Sequence, residues 1–219
     1  MYSKILNRLY AIGVSDWITK EASKSILRGS KQIIRIYNWI DLDIFKPTYK
    51  DENYVLCIAS LWTDNKGLSK IVQFAKENPK IDVHMIGKIE SANLPKNIKV
   101  LGVVKHQAKL AEKYANASVF LNPSIQETFG KTTAEALACG LPIISTNKCV
   151  AAMEFNRKFK NTEIVEVDNA LELTKAIKKL VENKDFVEKL SKNSLSGIKE
   201  YSFENMVEDF LSCFKKIEK

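Results

Sequence analysis

The densest polar cluster of the chain lies in PSIQETFGKTTAEALACGLP, residues 123–142, where Glu127 and Glu135 stand eight positions apart. A carboxylate accepts through both oxygens and suits a pair of neighbouring sugar hydroxyls. On spacing alone, the two glutamates are better read as part of a solvated helix surface. Pro123 and Gly130 bend the loop after the apolar run SVFLN, and the pattern predicts a helix starting near Gly130 or Lys131. The first amides of such a helix are free and carry the positive end of its dipole, so a phosphate or diphosphate is held there without a metal. Open α/β sheets bind ligands beyond the carboxyl ends of their strands, and this cluster falls at such a place.

Other candidates are weaker. Gly130-Lys131-Thr132 imitates the end of a phosphate-binding G-x-x-x-x-G-K-S/T loop, but the leading glycine is replaced by Ile125, which excludes an ATPase of that type. Asp41-Leu42-Asp43 resembles a metal-binding D-x-D, yet it reads as part of a solvated linker with no third ligand. His84 falls inside a strand and reads as a satisfied core or edge histidine. His106 opens a helix and has no visible acid partner. Cys57, Cys139, Cys149 and Cys213 are spaced neither as metal ligands nor as a redox pair and read as buried thiols. No metal or other cofactor is expected.

The elements that must position the cluster are short β-branched runs alternating with amphipathic ones. Strands are predicted over residues 54–60, 81–87, 98–101, 118–122, 141–146 and 163–167, with helices over 67–77, 107–115, 132–139 and 169–182. Leu68, Ile71, Val72 and Ala75 have the spacing of one helix face. Strict alternation with strands apolar on both faces predicts an α/β fold, a doubly wound parallel sheet. Before it, residues 11–15, 16–27 and 32–38 read as strand, helix capped by Ser15 or Asp16, and strand. IDLDIFKPTYKDEN then reads as a linker. A lone βαβ unit buries little apolar surface and should belong to a larger sheet, so the chain is expected to open on the remnant of another domain. After Glu182 the pattern is helical, and the apolar face of FENMVEDFLSCF, residues 203–214, needs a partner surface.

The 219 residues carry 34 Lys plus Arg against 26 Asp plus Glu, with 45% apolar residues, which excludes wholesale disorder, a collagen-like fibre or a coiled coil. A domain takes roughly 100–200 residues, so two complete domains would be crowded. No run approaches a membrane span, and the first residues lack the pattern of a secretory signal, so a cytoplasmic location is expected. Residues 1–50 hold 9 basic and 4 acidic side chains, whereas residues 151–219 hold 13 of each. The basic quarter suits anionic lipid headgroups at the inner face of the cytoplasmic membrane, nucleic acid, a phosphorylated ligand or a solvated lysine-rich surface, and charge alone does not choose among them. With no basic–aromatic stripe or recognition helix, no nucleic acid is expected as partner.

NPSIQETFGKTTAEALACGLPIISTN, residues 122–147, resembles the signature of the retaining glycosyltransferases of family 4, whose GT-B architecture joins two Rossmann-like lobes. The pattern E-x-F-G followed by E-A-x-A-x-G-x-P-(V/I)-I is matched at Glu127, Phe129, Gly130, Glu135, Ala136, Ala138, Gly140, Pro142 and Ile144. YNWIDLDIFKP resembles the family's interlobe linker, ASLWTDNKGL its phosphate-binding segment, and LAEKYANASVFLNPS a further family run. The resemblance implies three parts: residues 1–48 as a remnant of the N-terminal acceptor lobe plus linker, 49–200 as the nucleotide-sugar-binding lobe, and 201–219 as a crossover helix packing back on the acceptor lobe.

It also implies roles. Glu127 and Lys66 are the expected catalytic residues, Glu127 on the hydroxyls of the donor sugar and Lys66 on its diphosphate. Glu135 would take the ribose hydroxyls, and the Thr128-Phe129-Gly130-Lys131 turn the phosphates and sugar through its backbone amides. Val104 and Lys105 would border the base, and Ser60 stands in the phosphate segment where relatives carry arginine. Asn65 does not replace that charge, which leaves Lys66 to neutralise the diphosphate. Where relatives have a glycine-rich turn, residues 148–154 read KCVAAME, expected to lack the small residues that let backbone amides approach a ligand. The implied function is transfer of a hexose from a nucleoside-diphosphate sugar to a glycan or lipid-linked acceptor in surface polysaccharide synthesis, by a truncated chain weakly active alone. The partners are that donor, that acceptor, and a missing N-terminal lobe or a second copy. The alternative is a non-catalytic lobe that binds nucleotide-sugar or a partner.

Overall fold

The computed structural model describes residues 3–48, 52–90, 93–166 and 169–217. A short helix α1 (Ser3–Leu6) leads into β1 (Tyr10–Gly13), α2 (Asp16–Lys24), a 3-10 turn and β2 (Gln32–Arg35). Ser15 caps α2, its hydroxyl accepting from the amide of Ile18 at 3.2 Å. The helix expected over 16–27 breaks at Ser25, whose hydroxyl accepts from the amide of Leu27 and starts the 3-10 turn Ile26–Gly29. β1 and β2 pair in parallel as a sheet of their own.

The second sheet is built from β3 (Tyr54–Leu61), α3 (Leu68–Glu77), β4 (Asp82–Lys88), β5 (Ile98–Val100), α4 (Gln107–Ala115), β6 (Val119–Asn122), α5 (Lys131–Ala138), β7 (Ile143–Thr146), α6 (Val150–Phe159) and β8 (Thr162–Val165). Its six strands run in the order β5-β4-β3-β6-β7-β8, and every pairing is parallel. Helices α7 (Ala170–Glu182), α8 (Lys184–Gly197), a 3-10 turn (Ile198–Tyr201) and α9 (Phe203–Ile217) close the chain. Alternate strand residues face two separate cores. Leu56, Phe120 and Ile143 pack with Tyr114 of α4 and Leu137 of α5, while Val55, Met85, Leu121 and Ile144 pack with Phe74 of α3 and Ile177 of α7. This is the doubly wound arrangement expected.

The order reverses between β3 and β6, and the loops leaving these two strands open onto that switch point. Such a crevice is where doubly wound sheets receive ligands.

Several expectations need correction. The crossing segment after β2 is not a solvated linker: Ile40 and Phe45 are buried in the first core, and the amide of Ile40 donates to the carbonyl of Tyr201 at 2.8 Å. Asp41 uses its side chain locally, accepting the amides of Asp43 and Ile44. Helix α6 lay hidden in KCVAAMEFNRKF, because the β-branched Val150 and mid-helix Asn156 obscure its period. The segment does not lack small residues, since Ala151 and Ala152 stand buried in the first turn of this helix. His84 stacks on Tyr54 at 4.0 Å, but its buried Nδ1 has no hydrogen-bond partner, so it is not fully satisfied. Val167 of the expected last strand and Tyr49–Asp51 of the expected linker lie outside the described residues. All four cysteines are free and buried, as expected.

The small sheet is joined firmly to the large one. Glu154 of α6 reaches the N-terminus of α2, accepting the amides of Asp16 at 3.0 Å and Trp17 at 3.2 Å. Beside it Lys158 donates to the hydroxyl of Tyr37 at 2.8 Å and pairs with Glu200 at 3.3 Å. Helix α9 starts with Phe203 edge-on to Trp39 but buries only Cys213 fully, leaving Phe203, Leu211 and Phe214 exposed.

Candidate functional site

The site is set by loops that must turn sharply where strands of a buried parallel sheet end. After β3 the chain makes a 3-10 turn at Asp64–Lys66 and enters α3 through Gly67, whose φ of +80° is costly for any residue with a Cβ. A methyl there would lie 2.6 Å from Cγ and 2.7 Å from the carbonyl oxygen of Pro123, so the two loops touch. They are also tied by the Ile125 amide donating to the Asn65 carbonyl at 3.0 Å. The second loop enters α5 through Gly130 at φ +72°, where a Cβ would lie 2.8 Å from Cβ of Ala151 at the start of α6. The amino ends of α3, α5 and α6 thereby gather around the segment 123–130.

Sequence reasoning missed a buried polar network that fixes this segment. Asn122 donates to Thr133 at 2.8 Å and accepts the amide of Ser124 at 3.2 Å. Ser145 donates to the Asn122 carbonyl at 2.8 Å, and Thr146 to the Ser124 carbonyl at 3.1 Å. The available signal was the polar residues closing otherwise apolar strands, SVFLN and LPIIST. Buried polar groups persist when paired, so a polar end on a fully buried strand marks a loop held in place.

On this scaffold Lys66 and Glu127, 61 residues apart, form an ion pair at 2.6 Å, with both side chains partly open to solvent. Ser124 lies at 3.5 Å from the same carboxylate oxygen. Phe129 turns its ring inward against Phe155 and Tyr201, at 5.9 and 5.8 Å, so only its backbone is left to face a ligand. Thr128 and Lys131 are exposed on either side of it.

Glu135 is not on a solvated helix surface: it is only 6% exposed and accepts a hydrogen bond from the Tyr114 hydroxyl at 2.9 Å. Burial raises its pKa above the usual carboxylate range, against the opposing pull of Tyr114 and Lys131. The Tyr114 hydroxyl is pushed well up by burial and by the Glu135 charge. Val104 is half-buried and Lys105 exposed on the loop between β5 and α4, and Ser60 is exposed near the end of β3. The structure thus joins Lys66 to Glu127 directly and sets Glu135 further along α5, while Ser60, Val104 and Lys105 sit at neighbouring strand ends with no bond to them among the described residues.

A lysine, three clustered helix N-termini and two acids at a topological switch point suit an anionic ligand carrying hydroxyls. The sequence profile of "Glycosyl transferases group 1" matches residues 41–196, well over half of the chain. The chain belongs to this family. Among curated relatives, Streptococcus pneumoniae alpha-galactosylglucosyldiacylglycerol synthase is 25% identical over 180 residues, covering 76% of this chain and 46% of that protein. Arabidopsis thaliana sucrose-phosphate synthase 1 is 34% identical over 104 residues, 48% of this chain and 10% of that one. Among solved structures, Anabaena HepE in complex with UDP and glucose superposes with a TM-score of 0.83 at 17% identity, over 98% of this chain and 65% of that one. A Rickettsia africae glycosyltransferase gives 0.82 at 19% identity, over 100% and 67%. These likenesses establish the GT-B type of α/β fold. The chain spans a tenth to about a half of the curated relatives it matches and about two thirds of these two structures. No helix among the described residues is long and apolar enough to cross a membrane.

Proposed function

We propose that this chain is the nucleotide-sugar-binding part of a retaining, family 4 glycosyltransferase that moves a hexose from a nucleoside diphosphate to a glycan or lipid-linked acceptor on the cytoplasmic side, in surface polysaccharide synthesis. The observation that carries this is the Lys66–Glu127 pair at the switch point, beside the amino end of α5. Departure of a nucleoside diphosphate builds negative charge. Lys66 and the free amides from Phe129 to Lys131 would stabilise it as it forms, and the reading assigns no metal to the step. Glu127 would hold the donor sugar and Glu135 the ribose, with Val104 and Lys105 near the base. That the HepE structure holds UDP and glucose makes UDP the first probe.

On this reading the chain binds donor but transfers poorly, because an acceptor lobe must close the cleft and exclude water. Calorimetry with UDP, GDP and ADP tests it: one of them binds, and Glu135→Ala weakens that binding. Absence of binding to all three would remove the assignment. A second reading, a non-catalytic lobe that docks on an acceptor lobe, is favoured by the β1–β2 sheet, in which each strand pairs on one edge alone among the described residues. Co-purification of such a lobe without transferase activity would select it.

A further inference from the structure

The hydroxyl of Tyr114 stands between two acceptors, the Glu135 carboxylate at 2.9 Å and the Thr132 carbonyl at 3.0 Å. A phenol has one proton to give. The Thr132 carbonyl sits in the first turn of α5, where the amide four residues on already serves it. The carboxylate is the stronger acceptor, and no other hydrogen bond reaches it among the described residues. The proton therefore goes to Glu135. The ring that carries this hydroxyl is fully buried, edge-on to Phe45 of the crossing segment at 5.9 Å and tilted against Phe120 of β6 at 5.5 Å. Neither the ring nor the hydroxyl can drift, so the direction of the Glu135 carboxylate is set from α4 rather than from its own helix.

We propose that Tyr114 is a positioning residue, which holds the Glu135 carboxylate in the orientation that grips both hydroxyls of a ribose. The proposal rests on the reading of Glu135 as the ribose ligand. It makes α4, which carries none of the residues assigned to the donor, part of how the site tells a ribonucleotide from a deoxyribonucleotide. Tyr114→Phe keeps the ring and its packing and removes only the oxygen, so it is the informative variant.

The test is calorimetry on the full chain with UDP, 2′-deoxy-UDP and inorganic pyrophosphate. In the parent protein UDP should bind about tenfold tighter than its deoxy counterpart, as expected for loss of a hydrogen bond to a charged group. Tyr114→Phe should bring this ratio to about threefold or less and leave pyrophosphate affinity nearly unchanged, while the melting temperature falls modestly because a buried carboxylate loses its donor. The double variant Tyr114→Phe/Glu135→Ala should match Glu135→Ala alone. The acid limb of UDP binding gives a second readout. Glu135 is faced by Tyr114 from α4, by Lys131 from its own first turn and by the Cys139 thiol at the end of its helix. Loss of the tyrosine donor leaves the carboxyl easier to protonate, so the limb should move to higher pH. If Glu135→Ala abolishes the ribose preference while Tyr114→Phe keeps both the ratio and the limb, Tyr114 merely packs and the proposal is wrong. If Glu135→Ala leaves the preference intact, or if UDP does not bind, the ribose reading fails and this proposal with it.

Discussion

Lys66 and Glu127 neutralise each other in the structure, yet each is assigned a different part of the donor. Ligand binding must then part them. Lys66→Ala should weaken pyrophosphate and UDP binding by about tenfold to a hundredfold, the range for a charge-assisted contact. Glu127→Gln should act in the opposite direction on UDP, tightening it several-fold by releasing the lysine, while lowering turnover of any UDP-sugar; calorimetry and an activity assay separate the two. Glu135 gives a stability prediction. Its folded pKa is raised by burial, so the folded state binds a proton more readily than the unfolded chain, whose glutamates titrate near about 4.3. Stability is thus lost as pH rises above that value toward the folded pKa. Glu135→Gln should raise the melting temperature at pH 8, with the gain fading toward pH 4. At this scale the loop carrying Glu127 and the helix carrying Glu135 were legible from Pro123, Gly130 and the apolar runs around them, whereas spacing alone favoured a solvated helix surface for the two glutamates. The burial of Glu135 was not legible, since it depends on Tyr114, 21 positions earlier, and spacing carries no information on such a contact.

Among the elements, the strands and the helices packed on them were read to within a few positions, because parallel strands buried on both faces leave continuous apolar runs. Strand order was not legible. It follows from which neighbour each edge accepts, and that choice is long-range. Helix α6 escaped because Val150 and Asn156 obscure its period, and Ala151, set close to the start of α5, adds no amphipathic contrast. That closeness is testable. Gly130→Ala places a methyl at φ +72° and 2.8 Å from Ala151, and Gly67→Ala one at φ +80° against Pro123. Each should cost about 1–3 kcal/mol, seen as a lower melting temperature. Each should also weaken pyrophosphate binding, since the amides at both helix starts must shift; wild-type binding in either variant would dissociate the loops from the anion site.

Over the whole molecule, the sequence suggested a stray βαβ unit on a polar tether, whereas the structure shows a unit welded in place. Composition misled here. Asp43 and Lys46 of IDLDIFKP are exposed, and the buried Ile40 and Phe45 stand five positions apart, a spacing that marks neither a strand nor a helix face. Glu154 does much of the joining, as a carboxylate capping a helix from another sheet. Glu154→Gln should cost about 0.5–2 kcal/mol, as for other lost caps, and speed hydrogen exchange in α2 more than in the central strands. Equal rates in variant and parent would show that the rings around Tyr37 and Tyr201 suffice. The buried crossing segment also has a mechanical corollary. Stretched between its ends in an optical trap, a tethered pair of bodies would give way in two separate events with slack between them. This chain, with Ile40 and Phe45 embedded in the larger body, should rupture once.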